Sequence, residues 1–103
     1  MDIFLKTVSA LNDETRVKIL KFIHIHGKCC VCDLEVSFDM IQSRLSRHLK
    51  ILKEAGFLRV DREGRWAFYS VRQPLDEFRQ ASLREIMTLD IELPAIIKAC
   101  SPN

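Results

Sequence analysis

Apolar residues recur along most of this chain at helical spacing, and in one stretch they alternate instead. Ile3, Phe4, Val8 and Leu11 predict a short first helix. Asn12-Asp13-Glu14 supplies a cap and acidic first-turn residues for a second. Val17, Leu20 and Ile23/Ile25 give that helix its apolar face, and Gly27 ends it. A third, short helix is predicted from Cys30 or Val31 to Ser37, with Phe38-Asp39-Met40 turning the chain. A fourth begins at Ile41 or Gln42 and runs to Ala55. Leu45, Leu49 and Leu52 form its buried stripe, and Gly56 is its C-cap.

Beyond Gly56 the period drops to two. Leu58-Arg59-Val60-Asp61-Arg62 and Arg65-Trp66-Ala67-Phe68-Tyr69-Ser70-Val71 flank Glu63-Gly64, which predicts a β-hairpin with a basic tip, a wing. Pro74 separates it from a last helix starting near Asp76. Leu75, Phe78, Ser82, Ile86, Leu89 and Leu93 make one stripe on that helix, and Leu83, Met87 and Ile91 a second. So much apolar surface on a terminal helix predicts a dimer interface. Pro94 is expected to kink this helix or to start a short final one. The pattern as a whole predicts a mainly α chain with a β-hairpin wing. That is a homodimeric winged helix-turn-helix, a single domain over 1–103 with dimerisation helices at both ends.

In such a fold the second helix of the turn enters the major groove of double-stranded DNA. With Leu45, Leu49 and Leu52 facing inward, Gln42, Ser43, Ser46, Arg47 and Lys50 lie on the outer arc. Gln and Arg suit bidentate contacts to adenine and guanine. Ser43 and Ser46 are short enough to allow close approach. Lys50, Lys53 and the wing residues Arg62 and Arg65 suit phosphates. His48 falls on the border between the two faces and is expected to pack against the partner helix. Trp66 and Tyr69 are expected to pack within the hairpin.

Charge supports that placement by distribution more than by amount. The whole chain of 103 residues carries +2, yet residues 41–65 hold seven basic residues against three acidic ones. A local basic stripe on a nearly neutral protein suits a phosphate-facing surface. No apolar run approaches the ~18 residues of a membrane span, and Met1-Asp2-Ile3-Phe4-Leu5-Lys6 lacks the features of a secretory signal. A cytoplasmic protein with reduced thiols and no membrane partner is expected. Three of the four cysteines, Cys29, Cys30 and Cys32, then stand within four positions as candidates for metal or redox chemistry.

Four blocks now carry a family resemblance. They are Asn12-Asp13-Glu14-Thr15-Arg16-Val17-Lys18-Ile19-Leu20, Cys30-Val31-Cys32-Asp33-Leu34, Ser46-Arg47-His48-Leu49-Lys50-Ile51-Leu52 and Arg62-Glu63-Gly64-Arg65-Trp66-Ala67-Phe68-Tyr69. In order and spacing, from about Ala10 to Val71, they resemble the ArsR/SmtB family of small winged-helix, metal-responsive repressors. The resemblance implies a homodimer bound to an inverted-repeat operator and released when an ion binds. By position, the family's base-contacting residues fall on Gln42, Ser43, Ser46 and Arg47, which agrees with the outer arc. Ile41 stands where relatives often have a capping Ser, a role that Asp39 could take over.

Cys30-Val31-Cys32-Asp33-Leu34 resembles the arsenic-responsive branch of that family. Soft thiolates select thiophilic metalloids, and As(III) or Sb(III) takes three sulfurs in a pyramid. Relatives often carry a third Cys three positions on, where this chain has Glu35. Cys29 is the nearest replacement and Cys100 a remote one, so the expected metal set is Cys29, Cys30 and Cys32. If Cys30 and Cys32 both lie in a helix, their side chains point about 200° apart, and gripping one ion requires the first turn to unwind.

Other readings of the cluster are a thiol redox or polysulfide sensor and a cadmium, lead or zinc sensor. His24 and His26 sit two apart on a helix and point apart. The family's zinc sensors place His ligands on the last helix, and residues 75–100 contain no His. No Ser/His/Asp arrangement, Gly-rich phosphate loop or paired carboxylate is present, and no enzyme is expected. Cys30 with His24 or His26 is the one conceivable catalytic pair.

Overall fold

The computed structural model describes residues 1–99, so Cys100 lies outside the described residues. Five helices and a three-stranded sheet follow one another as α1 (Asp2–Ala10), α2 (Glu14–His26), β1 (Cys29–Cys30), α3 (Val31–Phe38), α4 (Gln42–Glu54), β2 (Leu58–Glu63), β3 (Trp66–Val71) and α5 (Glu77–Thr88). The sheet is antiparallel in the order β1-β3-β2. This is a mainly helical chain with a hairpin wing, as the periodicity predicts.

The core forms around α2, whose Ile19, Leu20, Phe22 and Ile23 are fully buried. Leu34 of α3, Leu45, Leu49 and Leu52 of α4, Phe57, Leu58, and Leu83 and Ile86 of α5 close on it. The starts of α2 and α5 carry side-chain caps. Asp13 accepts from Arg16 N at 3.0 Å, and Asp76 accepts from Arg79 N at 3.1 Å, each satisfying an otherwise orphaned first-turn donor.

Several expectations need correction. Ile25 is exposed and belongs to no apolar face of α2. Asp39 does not cap α4. It ends α3 in the left-handed region at φ 50, and α4 starts at Ile41 with no side-chain cap. Asp39 can sit at a positive φ because a short polar side chain tolerates it. The hairpin turns one residue later than expected, because Glu63 pairs with Trp66 and leaves Gly64-Arg65 as the loop. Gly64 there takes φ 64, which a glycine adopts without Cβ strain.

The largest departure follows α5. The apolar stripes predict helix to Leu93, yet the helix stops at Thr88 and residues 89–99 have no regular structure. This tail is tied down instead. Lys21 Nζ donates to Leu89 O at 2.7 Å. Leu93 and Ile96 pack on the core. Ile97 N donates to Ser37 Oγ at 2.9 Å, and Ala99 N donates to Asp33 Oδ1 at 2.8 Å. Both acceptors are buried polar groups of α3. Extended backbone lets the tail satisfy them while Leu93 and Ile96 reach the core.

Candidate nucleic-acid interface and thiol site

On α4 the leucine stripe faces inward, and Gln42, Ser43, Ser46, Arg47 and Lys50 are all exposed. Arg62 and Arg65 are exposed on the wing. The first turn of α4 carries no acidic residue and no side-chain cap. Its free N–H groups and positive dipole end therefore suit a phosphate.

His48 packs against the start of α2, not against α3, the helix-turn-helix partner expected from the sequence, with its Nδ1 3.4 Å from Arg16 Nη1. Arg16 is itself held by Ala10 O and Ser9 O and by the Asp13 carboxylate. Burial lowers the pKa of His48. Asp13 opposes that shift, while Arg16, Arg44 and Arg47 add to it. The ring is thus favoured as a neutral acceptor joining α4 to α2.

The cysteines divide between two environments. Cys30 lies in β1 as the extended N-cap residue of α3, at φ −71 and ψ 146, and Cys32 lies in the first turn. Their Sγ atoms are 3.0 Å apart. The premise of two helical positions pointing apart is therefore overturned, because Cys30 is not helical. Two thiolates can meet one ion without unwinding α3.

Cys29 faces the other way, as successive strand residues do. Its side chain belongs to the core, is 0% exposed, and donates to Gly27 O at 3.2 Å. Burial pushes its thiol up to about 11. Lys98 acts against that rise, and Asp33 and Cys30 add to it. Among the described residues, no three His, Cys, Asp or Glu groups converge to hold a metal.

A cavity of about 300 Å³ joins the two candidate sites. Cys30 and Cys32 line it together with Gln42 and Ser46 of α4 and Arg62 and Arg65 of the wing. Ser43, Arg47 and Lys50 share the exposed face of α4 but do not line it. Sequence reasoning missed the strand that builds this junction. β1 pairs Cys29 with Tyr69 and Cys30 with Phe68 of β3, and Lys28 pairs with Glu63 of β2 and lies over the Phe68 ring. His24 and His26 are exposed, and His26 stacks on Phe22.

An exposed, basic second helix beside a hairpin wing defines a winged helix-turn-helix of the DNA-binding kind. The chain belongs to the arsR family of bacterial regulatory proteins, whose model matches residues 13–60. It is 33% identical over 82 residues to the arsenic resistance transcriptional regulator ArsR1 of Pseudomonas putida, a match covering 80% of this chain and 64% of that protein. It is 37% identical over 66 residues to a cadmium resistance transcriptional regulatory protein CadC homolog of Staphylococcus aureus, covering 64% of this chain and 54% of that protein. The matches thus span between half and two thirds of these relatives' length. The fold is also that of reduced HlyU from Vibrio cholerae, at TM-score 0.72 and 22% identity, covering 88% of this chain and 92% of that one.

Proposed function

We propose that this chain is a transcriptional repressor that binds an operator as a dimer and releases it when arsenite or antimonite binds its clustered cysteines. The observation that carries this reading is the cavity in which two cysteine sulfurs 3.0 Å apart meet groups suited to DNA. With metal–sulfur bonds of about 2.3 Å, two sulfurs on one ion lie roughly 3–4 Å apart, so Cys30 and Cys32 need little movement. Cys29 is the nearest further sulfur along the chain. Gln42, Ser43, Ser46 and Arg47 read bases, and Lys50, Arg62 and Arg65 hold phosphates. The relative named for arsenic resistance supports the choice of ion.

Release follows from the shared wall of the cavity. An ion drawn between Cys30 and Cys32 pulls on β1, and β1 is hydrogen-bonded to the wing strand β3. Arg62 and Arg65 then leave the spacing that matches DNA phosphates. A change of ~1–3 kcal/mol in operator affinity is enough for regulation. The chain works as one winged-helix unit in the cytoplasm, with α1 and α5 forming the dimer.

A second reading has its own support. Two cysteine sulfurs at 3.0 Å also suit thiol–disulfide redox chemistry, and one relative is named for cadmium resistance. A single titration separates these. Arsenite, antimonite, cadmium, lead, zinc and a mild oxidant are each added to the preformed protein–operator complex under defined redox conditions. Release by arsenite or antimonite with thiols reduced supports the proposal. Release by oxidant alone, with no effect of any ion, replaces it with redox sensing.

A further inference from the structure

Arg79 lies in the first turn of α5, and its side chain leaves that helix to reach two others. Nε donates to Ala55 O at 2.7 Å, Nη2 donates to Thr7 Oγ1 at 2.9 Å, and Nη1 donates to Asp76 Oδ2 at 2.9 Å. Ala55 is the C-cap of α4, and Thr7 is a buried residue of α1. Thr7 Oγ1 in turn donates to Ile3 O at 2.8 Å. One guanidinium therefore joins the recognition helix to both helices assigned to the dimer. A cation in the first turn opposes the dipole of its own helix, whereas the same charge suits the carbonyl end of α4. The chain also makes room for the contact. Gly56 follows Ala55 at φ 88, and a Cβ there would meet Arg79 Nε at 2.7 Å. The guanidinium lies over the ring of the fully buried Phe57, 5.9 Å from its centroid. A planar fork with fixed donor directions holds its acceptors more tightly than a flexible ammonium does.

We propose that Arg79 is the positioning residue that sets the half-site spacing this protein accepts, by fixing α4 against α1 and α5. This rests on the dimer reading above. In a two-fold dimer each recognition helix meets its own half-site, so the way each helix is held relative to the axis fixes the separation of the half-sites. Gln42, Ser43, Ser46 and Arg47 lie towards the other end of α4 from Ala55. Over the ~20 Å from Ala55 to Gln42, a tilt of ~5° at Ala55 moves the base-reading end by about 2 Å. The network also begins at the right place. Phe78, the chain neighbour of Arg79, and Ile3, which accepts from Thr7, are both exposed apolar residues of the dimer helices.

The test uses the full chain and a duplex that the wild type selects from random-sequence DNA. Its half-sites are then moved together or apart by single base pairs, and a duplex with one half-site serves as control. Sedimentation gives the oligomeric state, and anisotropy titrations give the affinities. Wild type is expected to be a dimer and to favour one spacing over its neighbours by about tenfold or more, the size of one lost base contact. Arg79→Gln is expected to lose most of that preference while binding the single half-site like the wild type. Arg79→Lys should resemble Arg79→Gln, because one ammonium cannot reach Ala55 O, Thr7 Oγ1 and Asp76 together. Thr7→Val removes one acceptor at nearly constant shape and should give an intermediate profile, which keeps the test decisive if Arg79→Gln does not fold. A variant that is merely less stable loses all duplexes alike and keeps the wild-type optimum. An unchanged spacing profile in Arg79→Gln, or in Thr7→Val where Arg79→Gln does not fold, overturns the proposal and leaves the dimer standing, as does full rescue by Arg79→Lys. A wild type that is monomeric on DNA and indifferent to spacing overturns both.

Discussion

Cys30 pairs with Phe68 across β1 and β3, so one residue of the thiol pair is part of the sheet that carries the wing. Cys32 sits on the other side of the β1–α3 junction. The 3.0 Å between their sulfurs spans two elements, β1 and α3. A ligand bridging them reports on both, and a ligand held by either one alone would not.

Replacing either sulfur should uncouple sensing from DNA binding. Cys30→Ser and Cys32→Ser are expected to bind operator like the wild type and to stay bound when arsenite is added. A serine hydroxyl keeps the size of the side chain but does not ionise at neutral pH, so it offers no soft anion to the metalloid. Fluorescence anisotropy of labelled operator measures this directly. Normal release by both variants would remove the thiol pair from the mechanism.

The two basic elements should fail in different ways. Arg47→Ala is expected to lose ~1–3 kcal/mol of specific binding and to relax preference at one base pair per half-site. Arg65→Ala, at the wing tip, should weaken all sequences alike and flatten the salt dependence by about one unit of slope. Competition titrations with mutated operators, repeated at several salt concentrations, separate the two. Unchanged operator affinity in Arg47→Ala would mean that α4 meets the DNA by another face.

Much of this arrangement was legible in the chain itself, because it depends on local rules. The leucine spacing on α4 placed its buried face, Asp13 and Asp76 marked helix starts, and the change of period at Leu58 marked the wing. What escaped depends on contacts distant in sequence. A strand of two residues has no period to detect, so β1 was invisible, and with it the opposite directions of Cys29 and Cys30. The apolar residues after Thr88 keep a helical spacing, yet Leu93 and Ile96 reach the core from extended backbone. Asp33 and Ser37 decide that outcome by binding the tail, and nothing in their local sequence announces a partner sixty residues away.

The His48–Arg16 contact gives a pH dependence with a definite sign. The folded-state pKa of His48 lies below its ordinary 6.5, chiefly through burial, with Asp13 pulling the other way and Arg16, Arg44 and Arg47 adding to the depression. Between the folded pKa and 6.5 the unfolded chain binds more protons than the folded one, so stability rises with pH through that window. The contribution is fully present above 6.5 and is lost as pH falls towards the folded value. Thermal melts of the wild type at descending pH should show this loss, and His48→Gln should show a flatter profile over the same range. A steeper profile in the variant would reverse the assignment.

The last prediction concerns the two ends of the chain. Ile3 is 74% exposed, Phe4 54% and Phe78 44%, although each is large and apolar. Phe4 of α1 and Phe78 of α5 lie together, with ring centroids 5.6 Å apart, so the exposed residues of the two helices form one continuous patch. A patch of this kind marks an interface, and a two-fold axis through it would bury the same residues from both copies. Burying a Phe or Ile side chain contributes roughly 1.5–3 kcal/mol. A Phe4→Asp change therefore removes that gain from both copies and sets two like charges near the axis. Sedimentation at micromolar concentration should show a wild-type dimer and a Phe4→Asp monomer. The variant should retain helical content by circular dichroism, because Phe4 contributes nothing to the buried core. Its operator affinity should fall steeply, since a monomer reaches only one half-site. A wild type that sediments only as monomer, with or without DNA, would refute the dimer and leave this patch for a different partner.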